Sequence, residues 1–471
     1  IFAFKTYYSN KSNRRTFILG GDTVENCSIA GKLIGCIVRD EIFAELSLEC
    51  NAIRLTSSNE KEVLTGEPLD LLLYQSPPLK KYDDIETLTS LCKRRKIPCV
   101  YWDTDGLVIF AANLQSIRLF DYVFTTDKAL IEKYKSLLCH NRVFHLPKAV
   151  PPIRFNEALR QSAGDCELKT QLYSAINARR CLGRLQQRLA GLTQHNNELD
   201  ILAKSCDEDI SKSCLVAIRN AYACNTYGDL IVKLLKITGV IKNCPEPDGV
   251  SVIAIAKSSD EVEAVVSNYE RQAYPVKELI IAACENCKNT SHIYNNHAMA
   301  DEIAFLEACG SSVEILNKAV KLCRYKYISV FEINNCYCRN FLSDLMLCFK
   351  YTDADIAGKG EYYCYDKAAD RLALNNLNGD YCYTQQIAPY SGIIKKNVFD
   401  KIKFDGKSAD IYSNMVGDAI NSGFTVFSAD RYNYAKSCVQ CKQSGVINLS
   451  QWLKSSPLPE NEISFISKIS F

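Results

Sequence analysis

The stretch Val250-Ser-Val-Ile-Ala-Ile-Ala256, followed by Glu261–Gln272 and Val276-Lys-Glu-Leu-Ile-Ile-Ala282, decides the fold class. The first run is apolar at almost every step and too short for a buried helix, so it reads as a strand covered on both faces. The second repeats its apolar residues at helical spacing, and the third is again a continuous apolar run. Strand, helix and strand in that order predict a parallel, Rossmann-like sheet. A further strand follows at Tyr327–Phe331, and this α/β domain extends to about residue 446.

Working backwards, Asn243-Cys-Pro-Glu-Pro-Asp-Gly249 is a turn-rich linker that marks a domain boundary. Ahead of it, leucines from Leu168 to Leu192 recur at three to seven residue steps and Leu215–Ile237 is a second helical stretch, so 155–245 reads as a helical connector. Earlier still the alternation of strand and helix appears in Leu69–Tyr74, Asp84–Arg95, Pro98–Trp102, Tyr122–Thr125, Lys128–Leu138 and Val143–Leu146. The expected organisation is a Rossmann-like domain over 1–154, the connector, a second α/β domain over 246–446 and a tail over 447–471 with Trp452 in a short helix. Residues 1–65 are too weakly periodic to name beyond mixed strand and helix, with turns at Gly20-Gly21 and Gly66-Glu67-Pro68.

Composition narrows the function. With 471 residues, 56 Lys+Arg and 54 Asp+Glu, the formal charge is +2, which gives no electrostatic reason to expect a nucleic acid or an anionic membrane as main partner. At 47% hydrophobic residues the chain can bury sizeable cores, and no apolar run is long enough to span a bilayer. The 23 cysteines are odd in number and scattered, so they read as mostly reduced thiols, which together with the lack of a signal-peptide pattern favours the cytoplasm. The chain begins with Ile1, so the native product is expected to start earlier or to be processed. Two Cys-x-x-Cys pairs, Cys284/Cys287 and Cys438/Cys441, set a zinc site against the plainer reading of small buried residues, and Cys336/Cys338 is a third dense spot.

The segments Val250–Ile255 and Val266-Ser-Asn-Tyr-Glu-Arg-Gln-Ala-Tyr-Pro-Val-Lys-Glu-Leu-Ile-Ile281 resemble the opening of family 2, GT-A type glycosyltransferases. The resemblance continues through Tyr327-Ile-Ser-Val-Phe331, Asn340–Leu345, Ala354-Asp-Ile-Ala-Gly-Lys359, Ser391–Phe399 and Gly423–Tyr434. In the first domain, Ile97-Pro-Cys-Val-Tyr-Trp-Asp-Thr-Asp105, Phe120–Asp127 and Val143–Pro147 are similar to the amino-terminal part of CgeB-like, spore-maturation-type glycosyltransferases, which are GT-B-like. Asn225-Thr-Tyr-Gly-Asp-Leu230 resembles the final helix of that family, with most of the intervening nucleotide-binding half missing.

The GT-A resemblance implies a nucleotide-sugar donor and a glycan acceptor, with Lys257, Ser258 and Asp260 at the nucleotide and a Mn²⁺ or Mg²⁺ held by an Asp-x-Asp cluster after the central strand. Here that place is Glu332-Ile-Asn-Asn335, so only Glu332 brings charge and Asn334 and Asn335 offer neutral amides. The acidic pair that supplies a general base falls on Ile411-Tyr412, leaving Asp410 as the candidate base. The closing Arg and His-Thr-Trp-like segment is replaced by Ser437–Ser444. Losses at the metal, the base and the closing loop together imply a glycosyltransferase-like protein that is impaired or inactive, needs no cofactor and serves as a binding or assembly-forming component with itself or a protein partner. The alternative is an active metal-dependent transferase acting on a polysaccharide or protein hydroxyl.

Other residues carry plainer readings. Asp103-Thr-Asp105 is literally Asp-x-Asp but reads as a solvated strand-end turn, and Asp353-Ala-Asp355 precedes a buried run. Ser258 or Ser259 with Asp260 reads equally as a helix N-cap and first turn. His140, His145, His292 and His297 read as surface, packing or loop residues, and Trp102 as a core or boundary residue more than a stacking platform.

Overall fold

The computed structural model describes most of residues 31–149 and 215–438, together with 447–448, the larger internal gaps being 60–65, 76–84, 106–113 and 284–301. Cys284, Cys287, Cys441, His292, His297, Trp452 and most of the leucine-rich connector lie outside the described residues, as does the side chain of Cys438. The described residues within Ile1–Pro151 and Cys224–Pro245 make one compact unit, and those within Pro152–Ala223 and Glu246–Phe471 make the other. The stretch 155–245 therefore contributes to both.

In the first unit, β1 (Ile34–Ile37), α1 (Asp40–Glu49), β2 (Ala52–Arg54), β3 (Leu71–Gln75), α2 (Ile85–Arg94), β4 (Cys99–Asp103), β5 (Tyr122–Thr125), α3 (Ile131–Leu138) and β6 (Val143–His145) follow one another. The strands form one sheet in the order β2-β1-β3-β4-β5-β6, every pair parallel. A parallel sheet needs both faces covered, and the alternation along the strands supplies this. Leu72, Tyr74, Cys99, Tyr101 and Val123 enter one core with Leu88, Cys92 and Tyr134, whereas Leu71, Leu73, Val100, Trp102 and Phe124 enter another.

That second core is closed by α4 (Tyr227–Ile237), which buries Tyr227, Leu230, Ile231, Leu234 and Leu235 against Leu46 and Cys50. Thr226 caps the helix reciprocally with Asp229, a pairing worth about 1 kcal/mol. The expected single helix over Leu215–Ile237 is corrected: turn residues at Ala223 and Cys224 interrupt it, because the chain must re-enter at a fresh N-cap.

The second unit begins with β7 (Val250–Ala256), α5 (Ser259–Glu270), β8 (Lys277–Ala283), β9 (Ile303–Glu307), α6 (Ser312–Leu322), β10 (Tyr327–Phe331), β11 (Cys336–Tyr337) and α7 (Phe341–Tyr351). It continues with β12 (Ile356–Gly358), β13 (Glu361–Asp366), β14 (Arg371–Asn376), β15 (Cys382–Tyr383), β16 (Ile393–Lys395), α8 (Ile411–Asn421), β17 (Val426–Ser428), β18 (Tyr434–Cys438) and β19 (Ile447–Asn448). The large sheet runs β15-β17-β12-β16-β10-β7-β8-β9 and is mixed: β7 to β10 are mutually parallel, while β16 runs against both β10 and β12. A smaller sheet, β11-β18-β13-β14-β19, stands beside it. The protein thus has an all-parallel Rossmann-like sheet in one unit and a mixed system in the other. Among the described residues no helix is long and apolar enough to cross a membrane, and twelve cysteines stand outside any disulfide.

Candidate functional site

The three central strands β16, β10 and β7 bring their ends to one rim. Register pairs Phe331 with Ala254 and Ser329 with Ile393, so Glu332, just past β10, lies between the end of β7 with Lys257 and the entry to β16 with Tyr390. Crevices of this kind, beyond the carboxyl ends of parallel strands, are where α/β sheets take ligands.

Glu332 is half-buried. Burial lifts its carboxyl above the usual carboxylate range and Glu261 adds to this, while the Ile333 amide and Lys257 oppose it. Its backbone N–H donates to the Tyr337 hydroxyl at 2.9 Å, and that hydroxyl donates to the Tyr390 carbonyl at 3.0 Å. Tyr337 is fully buried and stacks on Phe331 with ring centroids 3.8 Å apart. Tyr390 adopts a left-handed backbone with φ of 60° and packs on Tyr412 at 4.9 Å. Burial, then Glu332 and Asp410, push its hydroxyl up to about 12. Glu332 and Asp410 therefore act electrostatically on the same tyrosine.

The remaining positions are placed as follows. Asn334 is exposed. Asn335 is buried, and its Nδ2 donates to Tyr434 Oη at 3.0 Å while its Oδ1 accepts from the Ser437 amide at 3.1 Å. Asp410 is the N-cap of α8, accepting from the Ser413 amide at 3.0 Å and from the Ser413 hydroxyl at 2.7 Å. Tyr412, at the position expected for an acid, is fully buried.

Ser258 caps α5, its hydroxyl accepting from the Glu261 amide at 3.3 Å, and the Glu261 carboxylate accepts from the Lys257 amide at 2.5 Å. Lys257, Ser258 and Asp260 are all exposed at this helix start. Asp103 accepts from the Tyr134 hydroxyl at 2.9 Å, and Thr104 receives Gln75 and Arg39, each at 2.9 Å. This strand-end Asp-x-Asp is thus more buried than a solvated turn, with Asp103 only 2% exposed. Asp355 accepts from Thr425, and Trp102 is a core residue.

A divalent cation prefers hard, charged oxygens. The residues after β10 do not fit one: a single carboxylate is present, Asn334 is an exposed neutral amide, and the Asn335 amide is engaged inside the fold. Among the described residues, no three or more His, Cys, Asp or Glu are grouped so as to hold a metal ion.

Sequence reading missed a set of buried ion pairs in the second unit. Lys359 Nζ, with no exposure, meets Asp430 at 3.0 Å. Asp344 takes both Arg219 Nε and Nη2, at 2.7 and 2.9 Å, and Asn433 Nδ2 at 2.9 Å. Arg431 meets both Glu361 and Asp380 at 3.2 Å. Lys359 and Asp430 stand inside stretches that carried the resemblance, yet nothing in their local spacing pairs them.

No protein-family model matches this chain, and no curated protein does. Among solved structures it is similar to residues 1–349 of S. aureus TarS, with 14% identity and a TM-score of 0.31 over 40% of this chain and 60% of that one. The same portion of TarS in complex with UDP-GlcNAc matches at 13% identity and a TM-score of 0.32, over 45% of this chain and 69% of that one. Whole TarS matches at 13% and 0.32, over 45% and 41%. The chain thus spans about three-fifths of the first of these relatives. The likeness is distant and partial.

Proposed function

We propose that this chain is a glycosyltransferase-like protein with impaired transfer chemistry, acting as a binding or assembly-forming component. The observation that carries the reading is the fate of Asn335: both ends of its amide are used to fasten β11 and β18, so it serves the fold and is turned away from a cation. Asp410 supports the same reading, because both of its oxygens accept from Ser413 at the start of α8. Loss of a positioned base alone slows a reaction by about 10²–10⁴.

One observation favours the second reading, an active metal-dependent transferase: Glu332 and Asp410, the candidate metal-side carboxylate and the candidate base, both raise the hydroxyl pKa of the same residue, Tyr390. Calorimetric titration of the full chain with UDP-GlcNAc and GDP-mannose, in Mn²⁺ and in EDTA, separates the two. The impaired reading expects the same heat, or none, in both buffers. A Mn²⁺-dependent gain in affinity of tenfold or more, abolished in Glu332→Gln, supports the active reading instead.

A further inference from the structure

Cys336 opens the short strand β11 and Cys338 directly follows it, and side chains two residues apart along an extended chain share a side. Their sulfurs are 3.9 Å apart. Cys336 is half-buried and Cys338 fully buried, and both belong to a small apolar cluster with Leu215, Tyr363, Tyr432 and Ala435. The Arg271 guanidinium reaches Cys336 Sγ at 3.9 Å. Cys364 follows Tyr363 in β13 and so points to the opposite face from the cluster that holds Tyr363 and Tyr365. The Cys336 and Cys338 sulfurs are thus in direct contact with each other.

We infer that Cys336 and Cys338 form a reversible dithiol–disulfide switch that acts on the rim through Tyr337, the residue between them. A hydroperoxide is the oxidant. Its terminal oxygen passes to the Cys336 sulfur, giving a sulfenic acid and, from hydrogen peroxide, one water. The Cys338 sulfur then displaces the hydroxyl, which leaves with the thiol proton as a second water, so two thiols are oxidised by two electrons and one peroxide is reduced. The half-buried sulfur is the one a peroxide reaches, and the buried one resolves it.

Closing the bridge brings the sulfurs from 3.9 Å to about 2.05 Å and ties residues 336 and 338 into a small ring that contains the backbone of Tyr337. Tyr337 is held between them, and its hydroxyl fastens the Glu332 amide and the Tyr390 carbonyl. Oxidation therefore loosens that fastening. The inference goes beyond the proposed function and does not depend on whether transfer chemistry survives.

The test is peroxide titration of the full wild-type chain, followed by non-reducing digestion and mass spectrometry. Expected are a single peptide carrying both cysteines with a loss of two hydrogens, restored by dithiothreitol, and a sulfenic acid trapped by dimedone at Cys336 in Cys338→Ser. Amide hydrogen exchange at Glu332 should rise at least tenfold in the oxidised protein. Modification of Cys336 no faster than of the exposed Cys224 and Cys244, a bridge to any other cysteine, or an oxidised protein with unchanged exchange at Glu332 would each overturn the switch.

Discussion

The Tyr337 hydroxyl donates to the Tyr390 carbonyl at 3.0 Å, and through the same oxygen it holds the amide of Glu332. One buried phenol thus fixes both sides of the rim. Tyr337→Phe keeps the ring stacked on Phe331 but leaves two backbone groups short of a partner, and a buried polar group without one costs about 1–3 kcal/mol. Urea unfolding of the variant should show that loss as a lower midpoint at unchanged slope.

Asn335→Asp restores an acid where the resemblance expects one, and it provides a sharp check on whether the metal position survives. The new carboxylate cannot donate to Tyr434, whose own hydroxyl proton goes to the Pro389 carbonyl. The substitution should destabilise by about 1–3 kcal/mol and give no Mn²⁺ binding by electron paramagnetic resonance. Micromolar Mn²⁺ affinity in this variant would mean that the position still faces the rim.

Asp410 distinguishes a cap from a base. Asp410→Ala removes the acceptor for the Ser413 amide and should cost about 1 kcal/mol, whereas Asp410→Asn keeps an oxygen there and should be nearly neutral in thermal melts.

Arg219→Gln breaks a bidentate pair with Asp344, which is 3% exposed. Burial pushes Asp344 up to about 6 even though Arg219 pulls it down. The folded protein therefore holds this proton to higher pH than the unfolded chain, so the stability associated with the group is greatest below its ordinary value and is lost as pH rises through about 6. Removing Arg219 should cost about 3–5 kcal/mol at pH 7.5, where a charge is stranded, and clearly less at pH 5, where Asp344 takes up a proton. Equal costs at the two pH values would contradict this.

What could be read from the sequence follows from the range of the forces involved. Val250–Ala256 and Tyr327–Phe331 were legible because strands covered on both faces are continuous apolar runs, and Ser258 was legible as a cap because capping spans three residues. The first strand, Ile34–Ile37, has four residues and lacks the length to show a period. The pairing of Lys359 with Asp430 spans 71 residues, and that of Arg219 with Asp344 spans 125, so no local pattern records them. The departure from Asp-x-Asp was visible in Glu332–Asn335, but the inward commitment of the Asn335 amide depends on Tyr434 and Ser437, which only the fold brings near.

Nucleotide release is the most direct measure of whether transfer chemistry persists. Purified full chain is incubated with a panel of UDP- and GDP-sugars, Mn²⁺ and candidate glycan acceptors, and free UDP and GDP are quantified against time. Release indistinguishable from the protein-free control is expected for wild type, Glu332→Gln and Asp410→Asn alike. Steady release by the wild type that disappears in both variants would contradict the impaired reading.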